Sequence, residues 1–598
     1  MNVTRRHAVV LMGAGLAAGR VFAASQSDDV RRLRVLLDAS AAADERRAAL
    51  SIKPRAVAFV DPLGDAYARS LRSDRLGDEA ALATIRRDTL PTADRIAYDV
   101  FAYQTSLAIA FERSGAFETA RRAPLDPSFG LQVEFPDFVS GIAPFATAAD
   151  YEAGLDRLRG FGQYMVQTVA RLREGLALGQ VQPLIVVTNI LAQVDAMLAL
   201  PIEQSPFYGA IARMPATIAA SDRARLEAAY RTVITHDVYP GYALWKSYLT
   251  TTYLPKAAAA PGRWAMKGGA ALYAAELERH TTTTTSPDAI HALGLSEVAR
   301  IRVEMEGAKA KTGFTGDLKA FFAFIRSDPR FYCKTPEELL DRFKAIEARI
   351  WTSIPKLFAR RPKAPFEVRP LPALGGQRGT GYYRPGPPDG VSPGILYFNM
   401  AMLGTRPIPT LETLTLHEGI PGHHFQINLA RENAKLPPLL GMPQGDGFTA
   451  FTEGWGLYSE SLGRDLGMFV DPYQWFGHLD MEMLRAVRLV VDTGIHAKRW
   501  ERQQAIDYML ANTSMAQHDV TVEIDRYIAA PGQACAYKMG ELKLHALRDR
   551  AAKTLGAHYD IRDYHDQVLG TGALPLKVLE DKIDGWIAAG GGPAGSGF

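Results

Sequence analysis

Four long segments of this chain repeat apolar residues every three to four positions, and this periodicity restricts the fold more than any other feature. The segments are DDVRRLRVLLDASAAADERRAAL, YEAGLDRLRGFGQYMVQTVARLREGLAL, DRARLEAAYRTVITHDVYPGYALWKSYLTTTYL and PEELLDRFKAIEARIWTSIPKLF. Apolar residues at this spacing, with charges on the opposite face, are typical of amphipathic helices that pack on one side. The sequence therefore predicts a mostly α-helical fold built from long packed helices.

The region from Pro365 to Met400 departs from the helical period. It contains the short β-prone runs FEVRPL, GTGYYRPG and GILYFNM, separated by GG, PGPPDG and SPG turns. Runs of this length between Gly and Pro clusters favour strands. We expect a small antiparallel sheet here. If GILYFNM is an exposed edge strand, it offers backbone pairing to an extended peptide, with Asn399 at its end.

Composition and charge predict a globular protein with a large core. The chain has 598 residues, of which 47% are hydrophobic and 22% are charged, as in ordinary globular proteins. Its 68 basic and 65 acidic residues give a formal net charge of +3, which is too balanced to favour a nucleic-acid partner or a membrane surface. Two cysteines, Cys333 and Cys535, are too few for a disulfide framework and leave a single pairing open.

The first 24 residues resemble an export signal. MNVTRRHAVVLMGAGLAAGRVFAAS combines a basic start, an apolar run and small residues that suit cleavage. The adjacent arginines resemble a twin-arginine signal, with an ordinary secretory signal as the alternative. The apolar run is shorter than the roughly 20 residues that span a bilayer, and Arg20 interrupts it. We expect residues 1–24 to be removed and residues 25–598 to form one helical catalytic domain that is periplasmic or secreted and has no membrane anchor.

The stretch LTLHEGIPGHHFQ, residues 414–426, is similar to the zinc-peptidase signature HExxH but is two residues longer. In HExxH the two histidines lie one helical turn apart, and the glutamate beside the first histidine is the general base. His417 and Glu418 match the first two positions directly. A catalytic zinc ion takes three ligands from His and carboxylate side chains and keeps one position for water. Because isolated HE pairs occur by chance in many proteins, the interpretation needs the remaining ligands.

The second histidine ligand is either His423 or His424. Pro421 has no N–H to donate and clashes with the carbonyl of His417, so the helix should bulge or break here. A bulge that absorbs two residues places His423 where HExxH has its second ligand. If the helix instead continues, His424 lies seven residues after His417 and faces the same way. We favour His423 and keep His424 as the alternative.

The segment FTEGWGLYSE supplies a candidate third ligand. Glu453 follows His423 by 30 residues, which leaves room for a helix, the loop KLPPLLGMPQGDG and a return helix. Glu460 lies seven residues further on and therefore on the same helical face. A glutamate on an amphipathic helix is usually solvated, but the combination of HE, GHH and this glutamate is much more specific than each part. It predicts one Zn²⁺ held by His417, His423 and Glu453.

Four motifs in order along the chain resemble a known family: HEGIPGHHFQ, TEGWGLYSE, MLRAVRLVVDTGIHAKRW and PGQACAYKMGELKLHALR. The family consists of exported bacterial proteins with an HExxPGHH motif that are grouped as a domain of unknown function. It is distantly similar to the HExxH carboxypeptidases and oligopeptidases, that is, gluzincin-like. The resemblance implies a large, mostly α-helical, clam-like metallopeptidase fold, with a deep groove over zinc and the small sheet beside it. It also implies zinc ligands that match His417, His423 and Glu453, with Glu418 as the base.

Two of these motifs carry further candidates. PGQACAYKMGE resembles the segment of related peptidases in which a tyrosine reaches over the metal, which implies that Tyr537 donates a hydrogen bond to the oxyanion. The alternative is a core tyrosine whose hydroxyl is satisfied. In the other motif, residues spaced by three or four share one helix face, namely Arg485, Arg488, Asp492 and His496. They form either a structural ion-pair ladder or a groove lining, in which Arg488 or His496 meets a substrate carboxylate.

Three functions fit these residues. The first is a zinc metallopeptidase that cleaves short peptides, with Glu418 and Tyr537 as catalytic residues. The second is a zinc amidohydrolase that acts on a non-peptide amide, and the third is a metal-binding protein without turnover. Glu418 argues against the third, because a structural zinc site needs no base and normally closes its fourth position with another ligand. We therefore predict a zinc-dependent hydrolase of short peptides.

Overall fold

The computed structural model describes most of the chain, namely residues 28–47, 61–143, 145–371, 381–441 and 448–593. The predicted export signal, residues 1–24, lies outside these residues. The described part is mostly α-helical, so the predicted helical class is confirmed.

The α-helices are numbered in chain order. The first fourteen span 28–47 (α1), Asp65–Leu82 (α2), Thr92–Arg113 (α3), Ala116–Arg122 (α4), Leu131–Asp137 (α5), Ala148–Leu178 (α6), Leu184–Leu198 (α7), Gly209–Ala212 (α8), Ala220–Val233 (α9), Tyr239–Tyr248 (α10), Gly269–Thr281 (α11), Pro287–Lys311 (α12), Leu318–Ser327 (α13) and Pro336–Ser353 (α14). Those that follow the sheet span Leu411–Leu414 (α15), His423–Arg431 (α16), Pro438–Gly441 (α17), Thr449–Ser461 (α18), Pro472–Ala497 (α19), Arg502–Asn512 (α20), Gln517–Ala529 (α21), Gln533–Leu555 (α22), Ile561–Leu569 (α23) and Leu576–Ala588 (α24).

The predicted long helices are present where the apolar period is strongest. The second segment forms α6, which begins with a capping box at Thr147 and Asp150, as such a motif favours. The third segment is helical on both sides of a π-helical turn, Ile234–Val238. The fourth forms α14, whose N-cap Thr335 accepts a hydrogen bond from the Glu338 amide. Helical periodicity and N-terminal capping residues therefore locate these elements.

The small sheet has three strands, β1 (Phe366–Pro370), β2 (Gly381–Arg384) and β3 (Gly394–Phe398), in the order β1-β3-β2. β1 pairs with β3 in parallel and β2 pairs with β3 in antiparallel fashion, so the prediction of a purely antiparallel sheet was wrong. The proposal that GILYFNM is an edge strand was also wrong, because β3 is paired on both sides. The edge strand that contributes residues to the cavity described below is β2.

Two large hydrophobic clusters form most of the core. One packs α5–α10 with α12, α13 and α19–α21, and the other packs α1–α3 and α14 with the sheet, α16, α18 and α22–α24. Helix α19 is buried almost continuously from Phe476 to His496, so it is a central helix of the core. Cys333 and Cys535 are buried free thiols, so no disulfide joins them. No helix in the described ranges is long and apolar enough to cross a membrane.

Helices α18 and α22 cross at a contact between two glycines. A Cβ added to Gly454 would lie 2.5 Å from the Cα of Gly540, and a Cβ added to Gly540 would lie 1.7 Å from the carbonyl oxygen of Ala450. A side chain at either position would therefore overlap with backbone atoms, which cannot move aside as a flexible side chain can. The contact brings Glu453 on α18 and Tyr537 on α22 to the same part of the molecule. The two glycines therefore set the spacing of the helices that carry candidate site residues.

We expect Gly540→Ala to destabilise the protein by about 1–3 kcal/mol or more, because overpacking a backbone contact forces helix displacement. Gly307→Ala is the matched control, since Gly307 lies in α12 and an added Cβ there would meet nothing within 4 Å. The control should be stabilised by up to about 1 kcal/mol through helix propensity alone. Chemical unfolding of both variants measures the difference, and equal stability of the two would show that the crossing is not tight.

Candidate functional site

The HEGIPGHH motif folds as two helical pieces separated by a break. Thr415–Gly419 forms a π-helical turn, in which the amide of Ile420 donates to the carbonyl of Thr415 over 3.0 Å. The chain then passes through a cis Ile420–Pro421 bond and begins α16 at His423. The predicted interruption at Pro421 is present, but as a break after a π-turn and not as a bulge that absorbs two residues.

The break brings two histidines and a glutamate together. The Nε2 atom of His417 lies 3.3 Å from Oε2 of Glu453, and Nε2 of His423 lies 3.5 Å from the same oxygen. The two imidazole rings are 4.8 Å apart and nearly perpendicular. Zinc bonds of roughly 2.0–2.1 Å in a tetrahedron separate the ligand atoms by about 3.3–3.4 Å. The carboxylate oxygen therefore already lies at about the distance from each Nε2 atom that two ligands of one zinc ion have.

Glu418 belongs to the same cluster. One carboxylate oxygen of Glu418 and one ring nitrogen from each of His417 and His423 lie within 4.8 Å of one another. Its side chain is only half-buried and faces a cavity. This position leaves Glu418 in reach of a small molecule at the cluster, whereas His417 is almost fully buried.

Other side chains fix the tautomers of the two imidazoles. Nδ1 of His417 donates to Oε1 of Glu460 over 2.7 Å, and Nδ1 of His423 donates to the Gln426 amide oxygen over 3.4 Å. A ring whose Nδ1 is protonated presents the lone pair of Nε2, and metal-binding histidines are usually held in this way. Each ring therefore turns Nε2 towards Glu453, with which it hydrogen-bonds, and Nε2 is the atom that would bind a metal ion once its proton is displaced.

Two glycines make room for this arrangement. A Cβ on Gly456 would lie 2.5 Å from Cε1 of His417, so α18 can lie against the imidazole only because this position has no side chain. A Cβ on Gly422 would lie 1.8 Å from the carbonyl oxygen of His417. The motif residues Gly422 and Gly456 are thus required by close contact with His417.

The charges in the cluster favour a cation. Burial opposes ionisation of Glu453, yet hydrogen bonds with His417 and His423 hold the pKa of its carboxyl well below its ordinary value. Burial likewise opposes a charge on His417, yet hydrogen bonds with Glu453 and Glu460 raise its pKa to about 9. Carboxylates that stabilise a proton in this pocket also stabilise a metal ion. The donor set of two imidazoles and a carboxylate is one that zinc accepts.

His424 occupies a different environment. Its Nδ1 atom accepts a hydrogen bond from the Tyr383 hydroxyl over 2.9 Å, and the Asn428 amide lies 3.1 Å away. Burial lowers the pKa of His424 to about 4, and its ring packs on Phe366. Of the two candidates, His423 joins His417 and Glu453, whereas His424 anchors α16 to the sheet.

A cavity of about 790 Å³ opens beside the cluster. Its wall includes Glu418, Glu453 and Tyr537, together with Tyr382 of β2 and Asn399, which follows β3. Tyr537 is half-buried, and its hydroxyl accepts a long hydrogen bond of 3.4 Å from Gln533. Burial and the nearby charge of Glu453 raise the pKa of Tyr537, so its hydroxyl keeps its proton. The structure thus brings Tyr537 to the same cavity as the cluster.

The four polar residues predicted on one face of α19 divide into two pairs. Arg485 and Arg488 line the cavity, and Arg485 donates to Glu460 over 3.1 Å. Asp492 accepts hydrogen bonds from the Tyr273 hydroxyl and the Gly532 amide, while His496 is bonded to backbone groups of α21 and of Arg263. Arg488 therefore lines the groove, as one of the two alternatives predicted, whereas His496 has a structural role.

Sequence reasoning did not assign several residues that the structure places at the site. Glu460 was noted only for its spacing from Glu453, although a second carboxylate one or two turns from a ligand is a recognisable signal for an imidazole partner. Glu523 and Arg526 on α21 also line the cavity. Their sequence context, TVEIDRYIAA, carries no motif, so only the fold brings them there.

Comparison with known proteins gives the following similarities. A crystal structure of "the putative lipoprotein from Colwellia psychrerythraea" is 27% identical, with a TM-score of 0.82, and the match covers 94% of this chain and 99% of that chain. A "putative lipoprotein of unknown function from Shewanella oneidensis" shares the fold, with a TM-score of 0.68 at 16% identity, covering 94% of this chain and 98% of that chain. The comparison with curated proteins gives no match.

The profile of one protein family extends over nearly the whole described chain. It covers residues 58–583, which include the π-turn, α16, α18, α19 and α22. The resemblance stated from the four motifs is therefore correct at the level of the family. The chain belongs to the family described as "Bacterial protein of unknown function (DUF885)".

Proposed function

We propose that this protein is a zinc-dependent peptidase that hydrolyses short peptides. The observation that carries the proposal is that three ligand atoms lie together. Oε2 of Glu453 is 3.3 Å from Nε2 of His417 and 3.5 Å from Nε2 of His423. Glu418 completes the set at the edge of the cavity. A structural zinc site normally has four protein ligands and no base, so a catalytic site is the better match.

The residues at the site have separate roles in the hydrolysis. His417, His423 and Glu453 would hold one Zn²⁺, which when bound polarises a carbonyl and increases the acidity of water. Glu418 accepts a proton from the attacking water and passes it to the leaving nitrogen. Water thus supplies OH to the acyl carbon and H to the amine, and the peptide C–N bond breaks. The products are one carboxylic acid and one amine.

Tyr537 acts on the oxygen of the scissile carbonyl. Its protonated hydroxyl donates a hydrogen bond as negative charge develops there, which stabilises the transition state by about 3–4 kcal/mol in comparable sites. The ring is held by α22 and by Arg488, whose guanidinium carbon lies 4.4 Å from the ring centroid. Because the ring is held in place, the hydroxyl needs little reorganisation to form this hydrogen bond during the reaction.

The size of the cavity and the description of a structural relative support this function. A volume of about 790 Å³ is within the usual range of small-molecule sites and suits a short peptide. The relative that is 27% identical is described as a putative lipoprotein, which agrees with an exported protein that meets peptides outside the cytoplasm. The clam-like peptidase architecture and the gluzincin relationship are part of the proposal.

Metal analysis and peptide digestion together test the proposal. Purified mature protein should contain about one zinc ion per chain and should release acid and amine products from a mixture of short peptides, as read by mass spectrometry. A metal-loaded protein that hydrolyses other amides but no peptide would favour the amidohydrolase alternative. A loaded protein without any turnover would favour a binding role.

Glu418→Gln should retain zinc and fold but lower kcat by about 10²–10⁴-fold, because an amide cannot accept the proton from water. Elemental analysis and thermal unfolding of the variant are the controls for metal content and fold. Turnover equal to that of the wild type would remove Glu418 from the mechanism.

His423→Ala and His424→Ala form a matched pair on adjacent positions of α16. The first variant should lose its zinc, because a direct ligand is removed. The second should keep most of it, since changes beyond the direct ligands typically weaken metal affinity by only ~10–100-fold. Zinc titration against a chelating dye measures both affinities. Metal lost from His424→Ala but kept by His423→Ala would contradict the ligand set.

Tyr537→Phe should lower kcat by about 10²-fold with metal content unchanged, in line with the loss of one oxyanion donor. Tyr382→Phe is the control, since it removes a hydroxyl from an exposed tyrosine of the same cavity, and its kcat should stay close to the wild-type value. If Tyr537→Phe changes only the unfolding temperature, Tyr537 is a core residue without a catalytic role.

A further inference from the structure

The wall of the cavity next to Tyr537 carries more positive than negative charge. Arg488 on α19 and Arg526 on α21 both line the cavity. Each donates from Nη2 to Oε2 of Glu523, at 2.9 Å in both cases. Among the described residues, Glu523 is the carboxylate ion-paired with these two arginines. One carboxylate cannot balance two guanidinium groups, so a positive charge remains at this wall.

Arg488 also has hydrogen-bonding capacity left over. Its Nε donates to the Tyr527 hydroxyl over 2.7 Å, and its Nη2 is used by Glu523. Its Nη1, however, is buried with no hydrogen-bond partner in the described part of the chain, while only 9% of the side chain is exposed. A buried donor without an acceptor is costly, and such a group in a native protein calls for an explanation, of which a functional role is one.

The two arginines are held rigidly in this position. Tyr527 donates a short hydrogen bond to Glu523, and Nη1 of Arg526 donates to the Gln533 side chain over 2.7 Å. Gln533 in turn donates to the Tyr537 hydroxyl. The Arg526 side chain is 19% exposed, so it offers the accessible edge of the pair. A carboxylate that meets Arg526 comes next to the unpaired donor of Arg488.

From this geometry we propose that Arg488 and Arg526 form a subsite for the C-terminal carboxylate of the peptide substrate. An arginine pair is suited to this group, because planar guanidinium donors match the two oxygens of a carboxylate. The inference rests on the proposed peptidase function and adds the substrate class to it: peptides with a free C-terminus.

The position of the subsite limits the length of the fragment that is released. The guanidinium carbon of Arg488 lies 4.4 Å from the centroid of the Tyr537 ring, and the Tyr537 hydroxyl is the group assigned to the scissile carbonyl. Tyr537 contacts Arg488 and lies near the charge of Glu453. One residue of an extended peptide spans about 3.3–3.6 Å. The C-terminal carboxylate would therefore bind close to the group assigned to the scissile carbonyl, and we expect cleavage one or two residues from the C-terminus, that is, carboxy-terminal exopeptidase action.

The test uses N-acetylated hexapeptides of mixed sequence, synthesised once as free acids and once as C-terminal amides. The zinc-loaded wild type should cleave the acids with a kcat/KM at least about 10-fold above that of the amides, because each amide lacks the charge that the arginines recognise. Mass spectrometry should show loss of one or two C-terminal residues. Equal cleavage of acids and amides would overturn the subsite and leave the peptidase function standing.

Two variants test whether Arg488 and Arg526 cause the preference for peptide acids over peptide amides. Arg488→Gln and Arg526→Gln should each move the acid-to-amide ratio towards one, mainly through KM. A purely structural role would lower activity on acids and amides alike and leave the ratio unchanged. Arg526 is less buried than Arg488, so Arg526→Gln tests the subsite even if Arg488→Gln does not fold. In the control Arg502→Gln, which breaks an ion pair with Asp525 on α21 away from the cavity, the ratio should remain that of the wild type.

A binding measurement separates failure of the subsite from failure of the proposed function. Calorimetry with zinc-loaded Glu418→Gln should show tighter binding of the acids than of the amides, and this preference should become smaller when Arg526→Gln is added. If the wild type cleaves no peptide but this preference is present, the subsite stands and the peptidase function fails. If neither cleavage nor binding distinguishes acids from amides, the subsite is refuted.

Discussion

The site depends on one buried carboxylate. Glu460 on α18 is 1% exposed, and a carboxylate so far from water is stable only when it is paired. It accepts hydrogen bonds from His417 on the π-turn and from Arg485 on α19. Three separate elements are therefore tied together by one charged group. Loss of Arg485 would leave the charge of Glu460 uncompensated, which is far more costly than loss of an exposed pair.

The same interaction fixes the chemistry of His417. Because Glu460 accepts the hydrogen bond from Nδ1, Nε2 of His417 faces Glu453 and is the atom left to bind a metal ion. The break at Pro421 and Gly422 positions the second histidine. The helix ends after the π-turn, and α16 begins with His423 as its first residue. The Pro421 carbonyl accepts a hydrogen bond from the Trp455 indole over 2.9 Å, which anchors the break to α18. The two residues that lengthen HExxH are thus the residues that position its second histidine.

Much of this arrangement was predictable from local sequence, and the rest depended on tertiary packing. Helix periodicity gave α6 and α14, and the His, Glu and Pro spacing gave a cluster at His417, His423 and Glu453, whose role as zinc ligands stays a prediction. The mixed sheet was missed because the order and direction of its strands depend on tertiary packing. The β-prone composition of a run such as FEVRPL does not specify which strand it pairs with. The partnership of Arg488 and Arg526 was missed because the two residues lie on different helices, 38 positions apart.

Charge balance explains why two regions of one cavity that both contain arginines suit different ligand groups. Arg485 is neutralised by Glu460, so it contributes orientation to His417 and no free charge. With Glu460 balanced, the carboxylates of Glu418 and Glu453 remain beside two imidazoles, and a divalent cation matches them. At the neighbouring wall the excess has the opposite sign, because Glu523 serves both Arg488 and Arg526. A ligand that lies across both regions needs a polarisable carbonyl at one end and an anion at the other. The C-terminal part of a peptide carries both groups.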